Sequence, residues 1–184
     1  MEKIRCAWCG TDELYQKYHD EEWGKPVYDD ETIFEFLVLE SFQAGLSWIT
    51  ILRKRENFRK AFDNFDYQKI ANYPDEKVEE LMQDAGIIRN RLKIVATISN
   101  AQKFIETQKE FGSFSKYIWG FIGGKPIINL PKTLKDVPAT TEISDKLAKD
   151  LKKRGFKFLG STVVYAHMQA TGLVDDHVTE CWVK

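Results

Sequence analysis

The sequence has few cysteines, few prolines and no long apolar segment, and each scarcity excludes a class of protein. Its 184 residues include only three cysteines, an odd number that does not suit a framework of paired disulfides. No apolar run approaches the roughly 20 residues that a membrane-spanning helix requires. The opening residues also lack the pattern of a secretory signal peptide, so we expect a cytoplasmic protein without a membrane partner.

Charge of one sign is also scarce, because the formal net charge is only −1. This value excludes a polycation that binds nucleic acid with its whole surface. The charges are nevertheless unevenly placed: residues 12–40 are acidic, whereas residues 53–55, 89–93 and 146–157 are basic. A polyanion would therefore meet a local basic patch.

Helical periodicity accounts for most of the chain, and strand signals are sparse. The pattern predicts helices that begin near Asp30, Trp48, Pro74, Arg91 and Ser113. Residues 123–140 form the only long irregular stretch and read as a loop that crosses between two lobes. With five prolines and eleven glycines there is no low-complexity linker, so we expect residues 1–184 to form one all-α domain.

The segment 152–181 is the most informative stretch. A helix over 143–154, capped by Ser144, is followed by a loop bounded by Gly155 and Gly160 and by a second helix over 161–171. Backbone N–H groups of such a loop can form an anion site, and Lys153 and Lys157 would add charge for a nucleic-acid phosphate. A helical hairpin with a solvated basic rim explains the loop equally well.

Five residues near the two ends of the chain are candidate zinc ligands. A closed structural zinc site takes four ligands, so one of the five is excluded. Spacing alone favours the finger-like set of Cys6 and Cys9 with His177 and Cys181. The second option replaces Cys9 by His19, and a third interpretation treats the cysteines as core thiols and the histidines as hydrogen-bonded. His167 lies on an apolar helix and is predicted to be a buried histidine.

Glu40 interrupts an apolar helix close to its C-terminal end. A solvent-facing carboxylate is the ordinary interpretation, but the helix dipole disfavours a negative charge there, which favours a specific role. The preceding segment is unusually rich in aromatic residues, which together with carboxylates would suit a pocket for a planar, electron-poor ring: Trp8, Tyr15, Tyr18, Trp23 and Tyr28.

Four motifs together carry a resemblance to a known family. They are Tyr18–Gly24, Leu39–Trp48, Gln83–Arg89 and Lys153–Gly160, in order along the chain. At this spacing the sequence resembles the bacterial DNA-3-methyladenine glycosylase I family from Cys6 to Cys181. The resemblance implies an all-α helix–hairpin–helix DNA glycosylase fold of two helical lobes with a base pocket between them, the hairpin lying at about 143–172.

The resemblance also implies a function. Members are monofunctional glycosylases that flip 3-methyladenine out of alkylated double-stranded DNA and hydrolyse its glycosidic bond, leaving an abasic site. In this sequence the implied base-pocket residues are Tyr18, Trp23, Glu40 and Trp48, with Glu40 as the catalytic and selecting carboxylate. A monomer is expected.

Further residues follow from the same resemblance. Those implied to contact DNA are Lys153, Gly155, Lys157, Gly160 and Leu46, with a monovalent cation at the hairpin. The implied structural zinc joins the N- and C-terminal segments and is held by Cys6, His19, His177 and Cys181, with His19 in place of Cys9.

Two positions set the expected chemistry apart from that of related enzymes. Bifunctional members of the wider superfamily carry a nucleophilic lysine just after the hairpin, where this chain has Thr162, so strand cleavage is not expected. Asp175 lies where that superfamily has a catalytic aspartate and could stabilise the sugar cation or cap the turn that bears His177. Two functions of other classes are alternatives: a non-enzymatic DNA-binding module held together by zinc, and a zinc-dependent nucleobase deaminase. The signature motif of the deaminases is absent from the sequence.

Overall fold

The fold was examined in a computed structural model that describes residues 3–184. Within this part of the chain there are nine α-helices, whose bounds are α1 Glu13–Glu21, α2 Asp30–Phe42, α3 Trp48–Ala61, α4 Tyr67–Ile70, α5 Asp75–Gln83, α6 Arg91–Phe111, α7 Phe114–Gly120, α8 Glu142–Lys153 and α9 Ser161–Ala170. Short 3-10 turns occupy Ala7–Cys9, Asp63–Phe65 and Leu134–Asp136. The mostly helical fold is therefore the one predicted.

Side-chain caps explain where the main helices begin. Asp29 accepts a hydrogen bond from the backbone N–H of Thr32 at 2.8 Å and starts α2. Asn90 caps α6 in the same way, and Gly112 ends that helix with a left-handed φ of 87°. Both helices are predicted by the sequence, and α6 begins at the predicted residue, Arg91.

The cap predicted for α8 is wrong by one turn. Thr141, not Ser144, is the N-cap, and the two residues form a capping box: the Thr141 hydroxyl accepts from the Ser144 N–H at 3.2 Å, and the Ser144 side chain accepts from the Thr141 N–H at 2.8 Å. Ser144 is fully buried and also contacts the Ser161 hydroxyl at 2.8 Å. This contact ties the start of α8 to the start of α9.

The predicted irregular stretch 123–140 contains a short piece of sheet. Strand β1, Ile127–Ile128, pairs in parallel with β2, Val174–Asp175, and the register places Ile128 opposite Asp175. This pairing fixes the crossing loop against the segment that follows α9. No helix in residues 3–184 is long and apolar enough to cross a membrane.

The core is aromatic and surrounds α2. Every residue of α2 from Ile33 to Phe42 is buried, including Glu35 and Glu40. Glu35 is neutralised by Arg55 and Arg59 on α3, with N–O distances of 2.5 and 2.9 Å. Glu40 has no such partner, and α2 carries it to the cavity described next.

Candidate active site

A cavity of about 210 Å³ lies where α1, α2, α3 and α9 meet. All four predicted base-pocket residues line it. The complete lining is Trp8, Tyr15, Tyr18, Trp23, Glu40, Gln43, Trp48, Leu134, Val137, Ala166 and Gln169. This volume suits a small planar heterocycle and is below the range typical of drug-sized ligands.

Indole and phenol rings form most of the wall and hold one another in place. The ring centroids of Trp8 and Trp23 are 5.0 Å apart in an edge-to-face arrangement, and those of Tyr18 and Trp48 are 5.7 Å apart. Trp48 also stacks on Phe36 with an interplanar angle of 24°. Such packing leaves little rotameric freedom, so the rings present fixed faces to the cavity.

Among the described residues, Glu40 carries the one carboxyl group on this wall. Its side chain is 4% exposed and makes no hydrogen bond or ion pair with any residue that the structure describes. Burial raises its pKa from 4.5 to about 8. The group is therefore mainly protonated at neutral pH, and a cation placed beside it would favour the carboxylate.

A second opening reaches Glu40 from the other side. This space of about 250 Å³ lies between the turn Gln43–Leu46 and the first half of α9, including Thr162 and Ala166. Leu46 is 38% exposed at its rim. The predicted gap-filling leucine is thus next to the cavity that holds the predicted base pocket.

The predicted hairpin loop is present between α8 and α9. Gly155 adopts a φ of 95°, a conformation that other residues rarely adopt, and its N–H donates to the Lys152 carbonyl at 3.0 Å. Gly160 has an ordinary φ of −70°, and a Cβ added there would meet nothing within 4 Å. A side chain at 155 would therefore strain the backbone, whereas a side chain at 160 would fill space that is now open.

Asn100 on α6 holds the loop by two hydrogen bonds. Its Oδ1 accepts from the Lys157 N–H at 2.8 Å, and its Nδ2 donates to the Lys157 carbonyl at 2.9 Å. The Lys157 amide is consequently not available to a phosphate, contrary to the simplest picture of the loop. The N–H groups of Phe158, Leu159 and Gly160 have no acceptor among the described residues.

Lysines surround these free amides. A groove of about 560 Å³ is lined by the loop and by Lys149, Lys152 and Lys157. Lys153, which the sequence predicts as a DNA contact, is exposed on α8 but lies outside the groove lining. Lys152, one position earlier, lines the groove together with Lys149, because these two residues share one face of α8.

Three of the four predicted metal ligands lie together. The ligand atoms of Cys6, His19 and Cys181 are all within 4.8 Å of one another, and the Cys181 Sγ is 3.5 Å from His19 Nε2. Cys9 is not in this group, since its thiol donates to the Cys6 carbonyl at 3.2 Å. The structure therefore brings together three members of the set with His19, and Cys9 is not among them.

His177 is adjacent but outside this compact group. Its ring centroid is 4.9 Å from that of His19, and its Nε2 is buried with no hydrogen-bond partner. Its Nδ1 contacts Asp175 at 2.7 Å, as Nδ1 of His19 contacts Asp20 at 2.8 Å. With a carboxylate on each Nδ1, Nε2 is the remaining ligand atom of each ring: that of His177 has no partner among the described residues, and that of His19 accepts from the Cys6 N–H at 3.3 Å. The chemistry of these donors fits a zinc ion.

Comparisons with known proteins agree with this site. Residues 8–184 match the family model described as methyladenine glycosylase. The chain belongs to this family. It is 50% identical to the DNA-3-methyladenine glycosylase 1 of Escherichia coli (strain K12) over 177 residues, which covers 96% of this chain and 95% of that protein.

Two further relatives extend the comparison. The DNA-3-methyladenine glycosylase of Haemophilus influenzae (strain Rd) is 49% identical over 180 residues, covering 98% of this chain and 97% of the relative. A solved structure of a Tyr-to-Phe variant of 3-methyladenine DNA glycosylase I in complex with 3-methyladenine is 38% identical and aligns with a TM-score of 0.95. That alignment covers 98% of this chain and 97% of the other.

Within this methyladenine glycosylase, Asp175 lies away from the cavity. It accepts hydrogen bonds from the His177 N–H at 3.0 Å and from the His177 ring, and it does not line the aromatic pocket. This position favours the second of the two roles predicted for Asp175, which is to cap the turn that bears His177. His167 is fully buried, as predicted, and burial lowers its pKa to about 3.

Several cavity residues were not predicted. Leu134 and Val137 come from the crossing loop, and Ala166 and Gln169 come from α9. The spacing of Ala166 and Gln169, one helical turn apart, could have indicated a shared face with Thr162. Nothing in the local sequence of the loop indicates that it reaches the pocket.

Proposed function

We propose that this chain is a monofunctional DNA-3-methyladenine glycosylase. It flips the damaged base out of double-stranded DNA and hydrolyses the bond between base and sugar, leaving an abasic site. The observation that carries this proposal is the buried, unpartnered carboxyl of Glu40 within an aromatic cavity of base size. The two bacterial relatives described above are named DNA-3-methyladenine glycosylases, which supports the proposal.

The substrate itself explains why such a cavity suffices. Methylation at N3 makes adenine in DNA cationic, which weakens the glycosidic bond and makes the base a good leaving group. Catalysis then depends more on selecting and holding the damaged base than on activating it. The indole face of Trp48 is attractive to a cation by about 1–2 kcal/mol in a desolvated site.

Glu40 selects a positively charged base over a neutral one. A cationic base lowers the pKa of the adjacent carboxyl, so the group loses its proton and pairs with the base as it enters. Neutral adenine provides no such charge and would leave the carboxyl protonated. Tyr18 adds a second polar contact, and Trp23 closes the wall behind the base.

The hairpin between α8 and α9 would bind the DNA backbone. Free N–H groups at the tip, the open space at Gly160 and the lysines of the groove together suit a backbone phosphate. Leu46, which is exposed beside the cavity, would fill the gap that the flipped base leaves in the stack. A monovalent cation at the loop, which the family resemblance implies, remains a prediction, as do the monomeric state and the cytoplasmic location.

The zinc ion would have a structural role. Cys6 and His19 belong to the N-terminal segment and His177 and Cys181 to the C-terminal one, so a bound ion would join both ends of the chain. Burial raises the pKa of the Cys6 thiol to about 12, and an adjacent dication would be needed to make it a thiolate. The proposed metal site adjoins the wall of the cavity, because the ring centroid of Trp23, which lines the cavity, is 4.7 Å from that of His177.

Release of free bases from alkylated duplex DNA tests the proposal. Chromatography should detect 3-methyladenine with the wild-type protein, and the strand should stay uncut because Thr162 offers no amine. With Glu40→Gln we expect the release of 3-methyladenine to fall by at least tenfold while DNA binding is retained. If the wild type binds DNA but releases no base, the alternative function of a non-enzymatic DNA-binding module would be supported.

A further inference from the structure

Asp176 is a buried carboxylate that the proposed reaction does not use. It is 1% exposed and lies beside Asp175 at the end of β2. Three side chains donate to it: Tyr165 through its hydroxyl at 2.6 Å, Asn129 through Nδ2 at 2.7 Å and Gln169 through Nε2 at 2.8 Å. A carboxylate with three donors is a fixed acceptor around which these groups must orient.

The orientation of Gln169 follows from this contact. A carboxylate accepts hydrogen bonds and cannot donate them, so the NH₂ end of the Gln169 amide must face Asp176. The Oε1 end is then the free end, and it receives no hydrogen bond from any residue in 3–184. Gln169 lines the aromatic cavity, so an Oε1 without a donor would be an acceptor for a base bound there.

The substrate offers this acceptor one partner. In an N3-methylated adenine attached to its sugar, the ring nitrogens N1 and N7 carry lone pairs, and the exocyclic amino group holds the only N–H bonds. That group has two hydrogens. Glu40 and Gln169 line the same cavity and provide two acceptors.

We propose that Gln169 is a specificity-determining residue whose Oε1 accepts a hydrogen bond from the exocyclic amino group of the flipped base, with Asp176 as the residue that positions it. The inference rests on the proposed function and extends it to a preference for 6-amino over 6-oxo purines. A 3-methylguanine in the same pose would place its O6 against Oε1, leaving two acceptors unpaired.

The test is the ratio of 3-methyladenine to 3-methylguanine released from one methylated duplex under single-turnover conditions. For Gln169→Met, which keeps the length of the side chain, we expect the release of 3-methyladenine to fall roughly 10- to 100-fold. The release of 3-methylguanine should not fall, because the substitution removes the acceptor that would face its O6. For Asp176→Asn, the new amide can donate to Oε1 and turn the Gln169 NH₂ towards the cavity. The ratio should then shift further towards 3-methylguanine.

A purely structural role would give a different pattern. Equal losses for both bases in Gln169→Met, or an unchanged ratio in a variant that unfolds at the wild-type temperature, would overturn the inference while the proposed function stands. Gln68→Met, at an exposed position on α4, controls for the substitution itself. No release of 3-methyladenine by the wild type would overturn the proposed function and this inference together.

Discussion

Replacing Glu40 by glutamine should stabilise the folded protein at neutral and alkaline pH. Burial raises the pKa of this carboxyl from 4.5 to about 8, so the folded state binds the proton more tightly than the unfolded chain does. The wild type therefore has the full stability associated with this group below about pH 4.5 and loses it as the pH rises towards 8. Glutamine does not titrate and avoids this loss.

The size of the effect follows from the same shift. Each pH unit between the two pKa values costs the wild type about 1.4 kcal/mol of unfolding free energy. The loss amounts to about 3 kcal/mol at pH 7 and about 4 kcal/mol at pH 8, and it changes little at higher pH. A loss of this size is a large fraction of the 5–15 kcal/mol that typically stabilises a domain.

Urea unfolding of the wild type and Glu40→Gln at pH 5 and pH 8 measures this difference. We expect the advantage of the variant to grow by about 3 kcal/mol between the two pH values. The matched control is Glu76→Gln on α5, where the glutamate is exposed and no buried charge is removed. An advantage for Glu40→Gln that is independent of pH would refute the assignment of a buried, unpaired carboxyl.

Three further predictions concern the hairpin and the metal. Asn100→Ala should release the hairpin loop and weaken duplex binding about tenfold, whereas binding of free 3-methyladenine, followed by tryptophan fluorescence, should not change. Lys152→Ala should reduce the salt dependence of DNA binding by about one phosphate contact and do so more than Lys153→Ala, because only Lys152 lines the groove; equal effects would contradict this. Cys181→Ser should abolish stoichiometric zinc in elemental analysis and lower stability by several kcal/mol, whereas Cys9→Ser should retain the metal.

Local signals in the sequence were sufficient for the hairpin and for seven of the nine α-helices in residues 3–184, but not for α1 and the four-residue α4. The periodicity of α6 predicts its start at Arg91 because the determining residues lie within or next to the helix. At α8 the same reasoning chose the wrong one of two hydroxyl residues. Thr141 and Ser144 cap each other, and only the backbone geometry shows which is outside the helix.

The contacts that complete the site join distant parts of the chain. Asn100 and Lys157 are 57 positions apart, and Asn129 and Asp176 are 47 apart, so no local pattern reports them. The aromatic density near the N-terminus indicated a pocket, but the approach of Gln169 to it depends on how α9 packs against α2. Glu40 could be singled out because a charge in an apolar helix is locally anomalous.

The pH dependence of 3-methyladenine release most directly tests whether the Glu40 carboxylate recognises a cationic base. For the wild type we expect kcat/KM to rise up to tenfold per pH unit below about pH 8 and to level off above it, since only the ionised carboxyl pairs with the base. Glu40→Gln should give a low, flat profile over the same range. A flat profile for the wild type, or the same rise in the variant, would contradict this role for Glu40.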